Sequence, residues 1–326
     1  MNQPIRLFVM PLILSFIIML ISCTTQDMKP DIRTISNNKY SFQDDKVVQL
    51  TEDPDNFTIY GVISDTHGEV EKARYFAKLM KDQGAEGIIV SGDIPLDEEL
   101  RYGKKDSVED AKEIIEVLSA IADSGLLVIV IPGNHESKKE YYSAMNELSL
   151  KYNNIIDMTK YRVLETDDAR FVSIPGYTDK RFVDNSGFWA SPDIIIGTSN
   201  LLKNLKSPVI LITHGPPTTE APGPGTIYNR QKKLEDVGSE ELRELQLKYN
   251  ITLVVSGHIH EAGGLARSST GNLILPDEYA SNYTINFGTL EKWNYLNNIT
   301  VEGRAGLIII EGNKAKYRIL ELNQTI

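Results

Sequence analysis

From Phe57 onward the chain alternates two kinds of apolar pattern. Short unbroken apolar runs lie at 57–64, 87–91, 126–131, 171–175, 209–213 and 252–256. Runs of that length without polar interruption predict strands buried on both faces. Between them, apolar residues recur every three or four positions and predict helices. The segment 69–83 carries Val70, Ala73, Phe76, Ala77 and Met80 on one stripe, and 107–124 carries Val108, Ala111, Ile114, Ile115, Leu118 and Ile121. Ser107 is placed to cap the second helix and Gly125 to stop it. Further helices are predicted at 193–205 and 239–249. Beyond residue 260 only strand candidates remain, at 272–275, 283–287, 307–311 and 315–320. Alternation of this kind predicts stacked α/β layers.

Five of the six apolar runs end in a polar motif of one kind. Asp65-Thr66-His67 ends the first and Gly92-Asp93 the second. Gly133-Asn134-His135-Glu136 comes after the third, Thr213-His214-Gly215 after the fifth and Gly257-His258-Ile259-His260 after the sixth. All five histidines of the chain fall in these segments. Side chains beyond the carboxyl ends of neighbouring strands converge on one crevice. Taken singly, Asp65 or Asp93 suits a helix cap, and Asn134 or His214 suits a turn. Taken together, they would need every histidine to meet the pattern by accident. Histidine is the commonest metal ligand, and two aspartates, four or five imidazoles and an amide form a donor set for divalent ions. Mixed nitrogen and oxygen donors suit manganese, iron or zinc better than calcium or thiolate-seeking metals.

The N-terminus has a different composition. Residues 7–21 are apolar but for Ser15, come after Arg6, and have the layout of a secretory signal ending at Ser22-Cys23. Leu20-Ile21-Ser22-Cys23 resembles a lipobox, which implies lipid attachment at Cys23; an uncleaved anchor helix is the alternative. Either reading places the domain outside the cytoplasm, held to the outer face of a membrane. Cys23 is the one cysteine, so no intrachain disulfide can form. Residues 23–56 are polar and turn-rich and are read as a tether, with one short strand at 46–50, so that the folded domain spans 57–326. The 326-residue chain has a net charge of -11, which disfavours broad capture of nucleic acid.

The ordered set Asp65-x-His67, Gly92-Asp93, Gly133-Asn134-His135-Glu136, His214 and Gly257-His258-x-His260 resembles the calcineurin-like metallophosphoesterases over about residues 57–290. The resemblance implies a four-layer α/β sandwich of two mixed sheets, with the metal site at strand carboxyl ends. It implies two divalent ions: Asp65, His67 and His260 on the first, Asn134, His214 and His258 on the second, and Asp93 bridging them. His135 would protonate the leaving oxygen rather than bind metal. The implied activity is hydrolysis of phosphoesters, with diesters favoured over monoesters, by in-line attack of a metal-bridging hydroxide. A phosphomonoesterase, an exported metal-containing binding protein of the same fold without turnover, and a hydrolase of other esters remain as alternatives. Asp97 matches an acidic position of the family motif or belongs to a solvated acidic run. Glu136 and Glu261 are read as partners of ligand imidazoles or as helix N-terminal acids. Two long loops, 176–192 and 215–238, are expected to flank the site. Their basic and aromatic residues, Lys180, Arg181, Phe188, Trp189, Tyr228, Arg230, Lys232 and Lys233, would recognise the group beyond the phosphate.

Overall fold

In the computed structural model, residues 30–52, 55–96, 108–183 and 186–323 are described. The N-terminal segment with Cys23, the cap position Ser107 and Asp97 lie outside them. Two sheets face one another. One has six strands in the order Lys314–Leu322, Gly303–Glu311, Phe57–Ile63, Gly87–Val90, Leu127–Val130 and Ile155–Asp157. Its four last-named strands are parallel, and Gly303–Glu311 pairs antiparallel with Phe57–Ile63. The other sheet has nine strands, and its centre is the parallel set Arg170–Ile174, Val209–Thr213, Leu253–Ser256 and Tyr283–Asn286.

Strand alternation sorts each apolar run between two cores. In Gly87–Val90, Ile89 points between the sheets, where it meets Val62, Ile129, Ile212 and Val255. Ile88 and Val90 point outward, onto Phe76 and Met80 of the helix Val70–Asp82 and Ile114 and Leu118 of the helix Val108–Ala122. On the far side Val172, Leu211 and Val254 pack against Leu202, Leu242 and Leu245 of the helices Pro192–Leu202 and Glu240–Lys248. The layers therefore run helix, sheet, sheet, helix, which is the four-layer sandwich expected. Phe76 is wholly buried in the outer core; truncating such a ring costs about 3–5 kcal/mol.

Three expectations are corrected. Residues 31–49 are not a tether: Asp31–Ile35, Asn38–Gln43 and Lys46–Gln49 form an antiparallel meander that joins the nine-stranded sheet through the parallel pairing of Lys46–Gln49 with Val163–Glu165. Ile35, Tyr40, Phe42 and Val47 enter the core between the sheets, and the polar residues read as linker are hairpin turns, with Ser36 and Asp44 at φ 53° and 51°. The folded unit thus begins well before Phe57. A helix absent from the expectation, Lys138–Lys151, packs Tyr141, Ala144, Met145 and Leu148 into the outer core. The strand expected at 272–275 is reduced to one bridge between Arg267 and Leu273, with Leu273 and Leu275 exposed. Among the described residues no helix is long and apolar enough to cross a membrane.

Candidate metal centre

Each expected site residue sits on the loop leaving the carboxyl end of a central strand, and the two sheets aim those loops at one another. The turns are tight. Asp65, His67, Asp93 and His258 all take positive φ, at 49°, 43°, 52° and 64°. Left-handed backbone at residues other than glycine costs about 1–3 kcal/mol each and clusters where function demands it. Backbone hydrogen bonds lace the loops together: Asp65 N donates to Gly92 O at 3.0 Å, His67 N to Asp93 O at 3.2 Å, and Gly257 N to His214 O at 2.9 Å.

The motif glycines leave room for the carboxylates. A Cβ on Gly133 would stand 2.6 Å from Asp93 N and 2.9 Å from its Cγ, and a Cβ on Gly257 would collide with Ser64 Oγ and Asp65 Oδ2. With that space kept, each carboxylate is anchored by amides. Asn134 N and His135 N donate to Asp93 Oδ1 at 2.9 and 3.2 Å. His258 N donates to both oxygens of Asp65, at 3.1 and 3.0 Å, and Ser64 Oγ donates to Oδ2. Asp93 Oδ2 is left facing His214 Nε2 at 3.0 Å, and Asp65 Oδ1 faces His260 Nε2 at 3.2 Å.

Two groups of donors result: Asp65, His67 and His260, and Asp93, His214 and His258, each with its donor atoms within 4.8 Å of one another. Asn134 joins the second, its Oδ1 lying 2.9 Å from His214 Nε2 while its Nδ2 donates to Phe182 O at 3.0 Å. His214 Nδ1 donates to the Ser91 carbonyl at 2.9 Å. A carbonyl only accepts, so in the neutral ring Nε2 presents its lone pair inward. That nitrogen then meets Asp93 Oδ2, Asn134 Oδ1 and, at 3.2 Å, His258 Nδ1. Acceptors this close require a cation among them. Without a metal a proton plays that part: burial opposes it, yet Asp93 pushes His214 up to about 10, while burial and His214 push His258 down to about 3. Asp65 and Asp93 are 0% and 1% exposed. Burial raises both carboxyls, but neighbouring imidazoles more than offset it and hold them below their usual range. The donor set therefore fits divalent cations, which would neutralise two buried anions.

The profile of the calcineurin-like phosphoesterases matches residues 60–262. The chain belongs to that family. Among solved structures it is similar in fold to TT1561 of Thermus thermophilus, at 15% identity and a TM-score of 0.54, covering 78% of this chain and 98% of that one. It is likewise similar to a dimetal phosphatase from Danio rerio, at 12% identity and a TM-score of 0.53, covering 82% and 99%. No curated protein matches in sequence.

In this phosphoesterase His135 stands apart from the ligand groups. Its Nε2 lies 3.7 Å from Asp93 Oδ2, and its side chain is 27% exposed, whereas those of Asp93 and His214 are nearly closed off. Glu136 does not orient an imidazole. Its carboxylate accepts from Ile94 N and Gly133 N, both at 2.8 Å, so it braces the two loops carrying Asp93 and Asn134. Burial and Asp93 push it up to about 7. Glu261 lines a shallow pocket with Arg304 and Tyr295.

Of the flanking-loop residues expected to recognise substrate, Arg181 lines a cavity beside His258 and the others do not. Phe188 is buried in the outer core, and Lys180 rests over the Trp189 ring at 4.9 Å. The second loop folds into the hairpin Thr226–Tyr228 and Leu234–Asp236, which carries Arg230, Lys232 and Lys233 in the turn between its strands. Tyr177 of the first loop lies against His258, ring centres 4.0 Å apart and tilted by 40°, and Trp293, outside both loops, meets His260 edge-on at 4.7 Å. Neither aromatic has a sequence signal beyond its type, because both come from segments with no periodicity.

Proposed function

We propose that the chain is a two-metal phosphodiesterase held outside the cytoplasm. One observation carries the reading: two three-residue donor groups meet at buried carboxylates, with Asp93 belonging to one and contacted by the loop of the other. Asp65, His67 and His260 would hold one ion and Asn134, His214 and His258 the other, with Asp93 shared. Manganese is the first choice from the donor chemistry, with iron or zinc next. When bound, such a pair makes water nucleophilic at neutral pH and neutralises charge on the phosphoryl oxygens. The chain's own part is to hold that geometry. Amides fix Oδ1 of Asp93, the Ser91 carbonyl sets the His214 tautomer, and Phe182 O turns the Asn134 amide so that its oxygen faces inward. The partly exposed His135, beside Asp93 but outside both donor groups, supports a role in protonating the leaving oxygen. The description of the Danio rerio neighbour as a dimetal phosphatase agrees with the two-ion reading.

Assay of bis(p-nitrophenyl) phosphate and p-nitrophenyl phosphate with manganese tests this. Faster diester hydrolysis is expected; faster monoester hydrolysis would make the protein a monoesterase. Two bound equivalents with no turnover on either would make it a binding protein of this fold. Membrane attachment through Cys23 rests on the apolar segment and the sequence around that cysteine.

A further inference from the structure

Beside His258 lies a cavity of about 590 Å³, within the usual size range for organic ligands. It borders the metal centre on the side of His258 and Tyr177, and His135 is not among the residues lining it. Its walls are mostly apolar: the Tyr177 and Phe182 rings, 6.2 Å apart and edge to face, with Ile227 and Val237 from the hairpin. Such walls suit a flat group able to pack between aromatic and aliphatic surfaces.

The charge of the cavity is one-sided. Asp179, Glu240 and Glu241 line it, and among the described residues Arg181 is the only Lys or Arg that does. That guanidinium is already engaged, Nε with Asp179 Oδ1 at 3.0 Å and Nη2 with Asp179 Oδ2 at 2.5 Å. Asp179 and Arg181 offset one another and Glu240 pairs with Arg243 Nη1 at 2.9 Å, so Glu241 is the lining carboxylate that repels a second phosphate or a carboxylate entering there.

We propose that this cavity selects phosphodiesters whose retained substituent is planar and carries no negative charge. The proposal rests on the phosphoesterase reading. The leaving oxygen is served by His135, so the group beside His258 is the one that stays on phosphorus. A monoester has no such group, and a substrate with further phosphates meets Glu241. Phe182 also links specificity to the centre, since its carbonyl holds the Asn134 amide.

The test assays the full chain on three p-nitrophenyl phosphodiesters that share the leaving group and differ in the second substituent: methyl, phenyl or 4-carboxyphenyl. kcat/KM for the phenyl ester is expected to exceed the methyl ester by about ten- to a hundredfold, with the carboxyphenyl ester falling back toward the methyl value. Phe182→Ala and Ile227→Ala should draw the phenyl-to-methyl ratio toward one. Glu241→Gln should raise the carboxyphenyl ester relative to phenyl. Equal rates on all three esters, or ratios that none of these variants moves, overturn the assignment and leave the phosphoesterase reading standing. No release of p-nitrophenolate from any ester overturns both.

Discussion

Gly133→Ala tests whether the glycines of the motifs exist to admit the carboxylates. Gly133 does not have the positive φ that would by itself exclude alanine. Any effect must therefore come from contact. The new Cβ would stand 2.6 Å from Asp93 N and 2.9 Å from Asp93 Cγ. Asp93 cannot retreat easily, because it is 1% exposed and its backbone carbonyl accepts from His67 N at 3.2 Å. Overpacking of this kind costs about 1–3 kcal/mol. Displacing Oδ1 also weakens two amide hydrogen bonds to a charged acceptor, each worth about 1.5–3 kcal/mol. The expected loss is about 2–5 kcal/mol in unfolding free energy, read by urea denaturation of metal-free protein, together with a fall in bound manganese. Gly197→Ala is the control. It lies within the helix Pro192–Leu202, its Cβ meets nothing within 4 Å, and it should stabilise by about 0.5–1 kcal/mol. A Gly133→Ala protein as stable as the parent and still binding two ions would refute the packing argument.

Other outcomes rest on the same geometry. His135→Ala should keep both metals and slow diester turnover by roughly 10²–10⁴-fold; undiminished turnover would place the proton source elsewhere. Asp157, raised by burial, binds its proton more tightly folded than unfolded. Its contribution to stability is therefore greatest below the unfolded carboxylate pKa and declines as pH climbs through the raised folded value. Asp157→Asn keeps an acceptor for Thr159 N and Thr159 Oγ1, at 2.9 and 2.7 Å, and should lose that decline in pH-dependent denaturation curves. Cys23→Ser should move the protein from the membrane to the soluble fraction of cells; an unchanged membrane share would favour the anchor-helix alternative.

Much of the sandwich was legible because its central strands are buried on both faces, so that Gly87–Val90 and Val209–Thr213 read as unbroken apolar runs. The meander at 31–49 was not. Its strands bury one face, and the alternation in Asn38–Gln43, with Tyr40 and Phe42 inward, was masked by the turn residues beside it. The helix Lys138–Lys151 has correct spacing in Tyr141, Ala144, Met145 and Leu148, but lysines, glutamates and asparagine dilute it. At the site, the seven expected donors and His135 do converge, since motif residues lie at fixed offsets from strand ends. Their surroundings were opaque. Tyr177 and Phe182 come from a loop whose position depends on tertiary contacts, including the bond from Asn134 Nδ2 to Phe182 O. The basic tip at Arg230, Lys232 and Lys233 stands out by charge in the sequence, whereas Ile227 and Val237 at the base of the same hairpin reach the cavity.

The most direct measurement is metal content and diester turnover on the same samples of the parent protein and Asp93→Ala. The account predicts about two divalent ions per chain in the parent, turnover that chelation abolishes and metal restores, and fewer than two ions with no turnover in Asp93→Ala. Full turnover by a chain holding one ion or none, or an Asp93→Ala protein that keeps both ions and its rate, would contradict it.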